Sequence, residues 1–175
     1  MIEWALANSR EVADLRAVHL LALIAIYPFF SDVCAISGRL LRIDGEVQSA
    51  ELRKRLRAKW GDREVVDVAQ RKCIQTLRAF GALAGERGTV VSQPGERLPL
   101  PESLAPWAIH AVVLGRNAES IDVGEIGAAP EAFFTDIVMR GMNGYALLER
   151  FNVGPSRASY VASRTSLRPA PEARP

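Results

Sequence analysis

From residue 15 to residue 27 nearly every position is apolar, which predicts a helix buried on all sides. Pro28 disfavours helical geometry at Tyr27 and marks a kink or break. Beyond it Val33, Ile36, Leu40 and Ile43 recur on one face of a second helix, with Ser31 or Asp32 as its N-cap and Asp44-Gly45 as its end. Ser49 suits the N-cap of a shorter amphipathic helix whose Leu52, Leu56 and Trp60 repeat at i, i+4, i+8. Gly61 stops that helix and Asp62 is placed to cap the next. A longer helix follows over 63–80. Val66, Ala69, Cys73, Leu77 and Phe80 form its expected apolar stripe, with Glu64, Arg71, Gln75 and Arg78 on the other side.

The period then changes. Residues 82–84, 85–88 and 89–92 read as strand, glycine-containing turn and strand. Residues 93–101, with three prolines and a glycine, read as a connecting loop. Helical patterning returns over 103–114 and is expected again over 131–139, with Phe133 and Phe134 as core anchors. Strands are expected at 145–153 and, more weakly, at 159–162. The pattern predicts a mainly α protein with a small β-hairpin, an α+β chain. It divides into a helical leader (1–38), a central unit (39–93), a helical and strand subdomain (94–166) and a proline-containing flexible tail (167–175).

Charge sharpens this layout. The net charge of the 175 residues is only +2, but residues 39–87 hold 12 Lys or Arg against 7 Asp or Glu, and all three lysines. Five of them, Arg53, Lys54, Arg55, Arg57 and Lys59, fall within one helical stretch. Such a local excess can steer a polyanion even when the total is near neutral. A solvated helix face is the alternative. Cys34 and Cys73 lack metal-site spacing, favour neither a disulfide nor zinc, and suit a reducing cytoplasm. The apolar run 19–30 is too short for a bilayer span, which needs roughly 20 apolar residues. His19 and His110 lie in apolar helical runs with no nucleophile linked to either, and read as core or boundary residues. With no nucleotide-binding loop, zinc motif or nucleophile elbow, the sequence is expected to be a non-enzyme without metal or cofactor.

Helix, short helix, tight turn, longer helix and hairpin follow one another over residues 40–92, and this stretch resembles the winged helix-turn-helix superfamily. Residues 51–60 match the first helix of the motif, Gly61-Asp62 the turn, 63–80 the recognition helix and 82–92 the wing. The layout is also loosely similar to small DNA-binding accessory proteins of bacterial phage-defence systems. The resemblance implies a cytoplasmic protein that binds double-stranded DNA, as a transcriptional regulator or as an accessory factor of a DNA-handling system. The exposed side of the longer helix would enter the major groove. Arg71 and Gln75 would read bases, with Lys72 or Arg78 nearer the backbone. Arg53, Lys54, Arg55, Arg57 and Lys59, with Arg87 at the wing tip, would hold phosphates and make affinity salt-dependent. Glu64 and Asp67 open the longer helix, where they suit the positive end of its dipole but would repel phosphate. The alternative is an assembly subunit whose winged helix docks protein without binding nucleic acid. The C-terminal part would then serve a homodimer or a larger complex.

Overall fold

A computed structural model describes residues 14–86, 88–137, 148–154 and 157–162. Helix α1 (Arg16–Ile26) meets α2 (Pro28–Asp44) at a sharp corner, the two helices being bent by 118°. Tyr27 is extended (φ −112°, ψ 100°), as the residue before a proline prefers, and Pro28 stands in the first turn of α2 where its missing N–H is not needed. The helix therefore begins earlier than the sequence suggests, and Ser31 and Asp32 lie inside it rather than capping it. Val33, Ile36 and Leu40 are buried as expected, whereas Ile43, in a last turn that projects past the core, is exposed. Gly45 closes the helix in the left-handed region at φ 75°, its N–H bonding the Leu41 carbonyl.

The central unit runs β1 (Val47–Gln48), α3 (Ser49–Trp60), α4 (Glu64–Ala79), β2 (Leu83–Ala84) and β3 (Val91–Pro94). Its three strands form an antiparallel sheet in the order β1-β3-β2. The middle strand, β3, pairs Val91 and Ser92 with β1 and Gln93 and Pro94 with β2. Strand β1 has two residues, too few for an alternating pattern to mark it in the sequence. The hairpin's second strand lies later than 89–92, so its loop extends over 85–90. Gln48 and Arg63, not Ser49 and Asp62, occupy the N-cap positions, and neither makes a side-chain cap. The buried line of α4 is Val66, Gln70, Ile74 and Leu77, while Ala69, Cys73 and Phe80 are half-buried. Gln70, only 2% exposed, is drawn inward because its Nε2 donates to the Ser49 carbonyl at 3.1 Å, joining α4 to the start of α3.

After a 3-10 turn at Glu102–Leu104 comes α5 (Ala105–Gly115), in which every residue from Ala105 to Val113 is buried. It packs chiefly on α1. Beyond it, β4 (Ser120–Asp122), β5 (Leu148–Gly154) and β6 (Arg157–Ala162) make a second antiparallel sheet in the order β4-β6-β5, with a short α6 (Val123–Ile126) after β4. Over the described residues the expected strands at 145–153 and 159–162 correspond to β5 and part of β6, residues 145–147 lying outside them.

The expected helix at 131–139 is not formed over the described residues to 137. Only Pro130–Ala132 makes a 3-10 turn. The chain then runs beside Leu98, whose N–H donates to the Phe134 carbonyl (2.8 Å), while Thr135 Oγ1 donates to the Leu98 carbonyl (2.7 Å). Pairing with a distant segment takes the backbone groups a helix would have used. Phe134 is buried and Phe133 half-buried edge-on against it, so both still anchor the core. Residues 138 and 139, Arg87 and the 167–175 tail lie outside the described residues.

One hydrophobic cluster joins these parts, from Ala17 through Leu52 and Leu77 to Ile137. The chain is thus mainly helical with small antiparallel sheets, an α+β fold. Among the described residues no single helix is long and apolar enough to cross a membrane.

Gly38 on α2 lets the helix touch the backbone of the 3-10 turn: a Cβ there would stand 2.1 Å from the Pro130 carbonyl oxygen. Alanine would gain about 1 kcal/mol of helix propensity at an open site. Here overpacking outweighs that gain, so Gly38→Ala is expected to lower unfolding free energy by about 1–3 kcal/mol. Urea denaturation followed by circular dichroism measures the sign directly.

Candidate nucleic-acid interface

Helices α3 and α4 are joined by a turn of three residues, and their mutual angle is held by charge. Arg57 on α3 lays its guanidinium on the Asp67 carboxylate of α4, Nε to Oδ1 at 3.0 Å and Nη2 to Oδ2 at 2.7 Å. Its remaining Nη1 reaches Asp62 in the turn at 2.8 Å. Two-pronged pairing of this kind fixes direction as well as distance. At the end of α3, Lys59 and the Trp60 indole N–H both donate to Asp32 of α2, at 2.6 and 2.8 Å, and Phe29 packs edge-on to Trp60. Asp32 is therefore a tie between helices, a role its sequence position as a cap candidate concealed.

These contacts divide the basic cluster. Arg55 pairs with Glu51 one turn earlier at 2.7 Å, Arg57 with Asp62 and Asp67, and Lys59 with Asp32. Arg53, 41% exposed, stands 3.7 Å from Asp67, too far for a hydrogen bond. Lys54 is exposed and makes no hydrogen bond or ion pair among the described residues. The cluster is not one uniform cationic surface: Arg55, Arg57 and Lys59 are held by close ion pairs, Arg53 by a longer one with its Nε buried, and Lys54 is the one of the five without an ion pair among the described residues. Asp67 is likewise no bare acid on a reading face, being neutralised by Arg57 and only 14% exposed.

On α4, Glu64, Val65, Val68, Arg71, Lys72 and Gln75 form one exposed face. Arg71, Lys72 and Gln75 have no hydrogen-bond or ion-pair partner among the described residues and point into solvent. Arg78 is different. Its guanidinium turns onto the hairpin loop, donating to the carbonyls of Glu86 (2.7 Å) and Val91 (2.9 Å) and to the hydroxyls of Thr89 (2.9 Å) and Ser92 (2.8 Å). It holds the loop against α4 and is not presented alongside Arg71 and Gln75. Gly85, at φ 142°, leaves the space that this guanidinium fills.

Between α4 and the loop runs an open groove of about 530 Å³, bordered by Arg53, Arg71, Gln75, Arg78, Thr89 and Val90. No Asp or Glu among the described residues lines it. A cleft walled by one sign of charge concentrates the opposite sign. Elsewhere the chemistry is sparse. His110 is buried in α5, and His19 is exposed on α1 with its ring edge-on to Phe80. No three His, Cys, Asp or Glu side chains converge as metal ligands among the described residues. Burial raises both thiols, that of Cys73 to about 11. The chain matches no protein-family model, no curated protein and no solved structure.

The hydrogen bond from Arg57 holds the Asp67 carboxyl below the usual aspartate range. A carboxyl depressed in the folded state stabilises it above the pH at which a free aspartate titrates, about 3.9. That contribution fades as pH falls through the lower folded value. Asp67→Asn is expected to melt at a lower temperature than the parent at neutral pH, and the difference is expected to shrink as pH falls into the acid range where the parent carboxyl protonates. Thermal melts across that range, monitored by circular dichroism, check both the sign and the convergence.

Proposed function

We propose that residues 28–94 are a winged helix-turn-helix and that the protein binds double-stranded DNA. On this reading it serves as a transcriptional regulator or an accessory subunit of a bacterial DNA-handling or phage-defence system. The order helix, strand, helix, helix, strand, strand, with β3 between β1 and β2, supports the winged-helix assignment. In it α4 is the reading helix and the 85–90 loop is the wing. The observation that carries the DNA reading is the face of α4 on which Arg71, Lys72 and Gln75 stand unpartnered, beside a groove whose charged walls are all arginine.

The roles follow from which donors are uncommitted. Arg71 can bind guanine with two hydrogen bonds and Gln75 adenine, the pairings that major-groove edges allow. Lys72 and Lys54 supply the phosphate contacts, and Arg53, loosely paired with Asp67, adds to them. Arg55, Arg57 and Lys59 serve the fold, and Arg78 positions the wing. The protein acts by binding and not by catalysis, in the cytoplasm, where Cys34 and Cys73 remain thiols. A second reading, docking to a protein partner, is favoured by an apolar recess lined by Phe29, Trp60 and Val65 and by exposed Ile26 and Tyr27 at the α1–α2 corner.

Binding to duplex DNA, followed by fluorescence anisotropy over a range of salt, separates these. Affinity should fall steeply with salt, and Lys72→Ala should reduce the log–log slope by about 1. Arg71→Ala should weaken binding to a preferred site by about 1–3 kcal/mol. Arg55→Ala, whose partner is Glu51, should leave the slope unchanged. Absence of binding at low salt would overturn the DNA reading and favour the docking one.

A further inference from the structure

The exposed face of α4 carries two valines. Val65 is 64% exposed and Val68 39%, one turn apart and on the same side as Arg71, Lys72 and Gln75. The helical neighbours of Val68 at i±3 and i±4 are Glu64, Val65, Arg71 and Lys72, and every one of them is exposed. So Val68 stands in the middle of the outward face, away from the core line of Val66, Gln70, Ile74 and Leu77. A β-branched residue is a weak choice for an exposed helical position, where alanine, lysine or glutamate holds the helix better. The burial of α4 does not account for it.

On the DNA reading, which this inference extends, such a face has a specific counterpart. The major-groove edges of the bases present donors and acceptors at every pair but only one apolar group, the C5-methyl of thymine. Charge complementarity brings that groove to this face and to no other side of α4. Arg71 and Lys72 lie one turn beyond Val68, and the groove beside them has no acidic wall among the described residues. Glu64, one turn before Val68, is the acid on the face. A carboxylate there can accept from the cytosine amino group, the donor that the same groove offers. We infer that Val68, flanked by Val65, is a specificity-determining contact for the thymine methyl, next to the positions read by Arg71 and Gln75.

The test uses the full chain and a randomised DNA duplex library prepared in two forms, one with thymine and one with uracil, which lacks only the methyl. Retained sequences are read from each. The expected result is thymine enriched at a fixed distance from the positions that depend on Arg71 and Gln75. That enrichment should disappear in the uracil library while the other positions persist. Uracil at the enriched position should weaken binding about fourfold, the factor for burying one carbon-sized apolar group. Val68→Ser should erase the thymine preference and leave the other positions, and an unchanged helical spectrum and salt slope show that the variant is folded and binds. The same base preferences in both libraries would overturn the inference while leaving DNA binding intact. So would a methyl preference that survives Val68→Ser. Retention of nothing from either library at low salt would overturn the DNA reading itself.

Discussion

Helix α5 has no polar face to give to water. From Ala105 to Val113 it is buried throughout, with Trp107, Ile109, Val112 and Val113 pointing in different directions around its axis. Each such side chain favours burial by roughly 1.5–3 kcal/mol, so the helix must be covered on every side. Helix α1 covers one side, and α2 and the strands β4 and β6 close others. The corner at Pro28 follows from the same need. Were α1 and α2 a single straight rod, α2 could not turn away from α5 to carry the central unit. Gly115 marks how close the approach is, since a Cβ there would lie 2.9 Å from the Ile24 carbonyl oxygen.

The central unit buries Val47, Leu52, Leu56 and Leu77 in the same hydrophobic cluster, and on its outer side charge adds direction to that burial. Asp32, Asp62 and Asp67 take up Lys59 and Arg57, fixing α3 between α2 and α4. Arg78 secures the hairpin loop to α4 through backbone and hydroxyl oxygens. Exposed ion pairs stabilise little singly. Their effect here is orientation: by engaging some cations they leave Lys54, Arg71, Lys72 and Gln75 as polar donors that face outward. The outward-facing donors are thus selected by neutralisation of their neighbours, not by a simple excess of positive charge.

Much of this was legible in the sequence because period and punctuation are local. The apolar runs of α1 and α5, the Pro28 break, the Leu52–Leu56–Trp60 repeat and the Gly61 stop all have their cause within a few residues. The exposure of Arg71 and Gln75 on α4 could be read in the same way. Other features could not. Strand β1 exists only because β3 pairs with it, and the partner of the buried Gln70 amide, the Ser49 carbonyl, lies on another helix. Residues 131–137 have helical patterning but bond to Leu98, a partner more than thirty positions away in the chain.

The sequence by itself determined roughly where α1 to α5 lie along the chain, which residues are too apolar to leave in water, and where positive charge accumulates. Side-chain chemistry and helical spacing suffice for those. Which charges are spent was decided only by the tertiary structure. Arg53, Arg55, Arg57 and Lys59 look alike along the chain, and an ion pair depends on a carboxylate that folding brings near. The distances to Glu51, Asp62, Asp67 and Asp32 separate the cations that hold the fold from those turned outward.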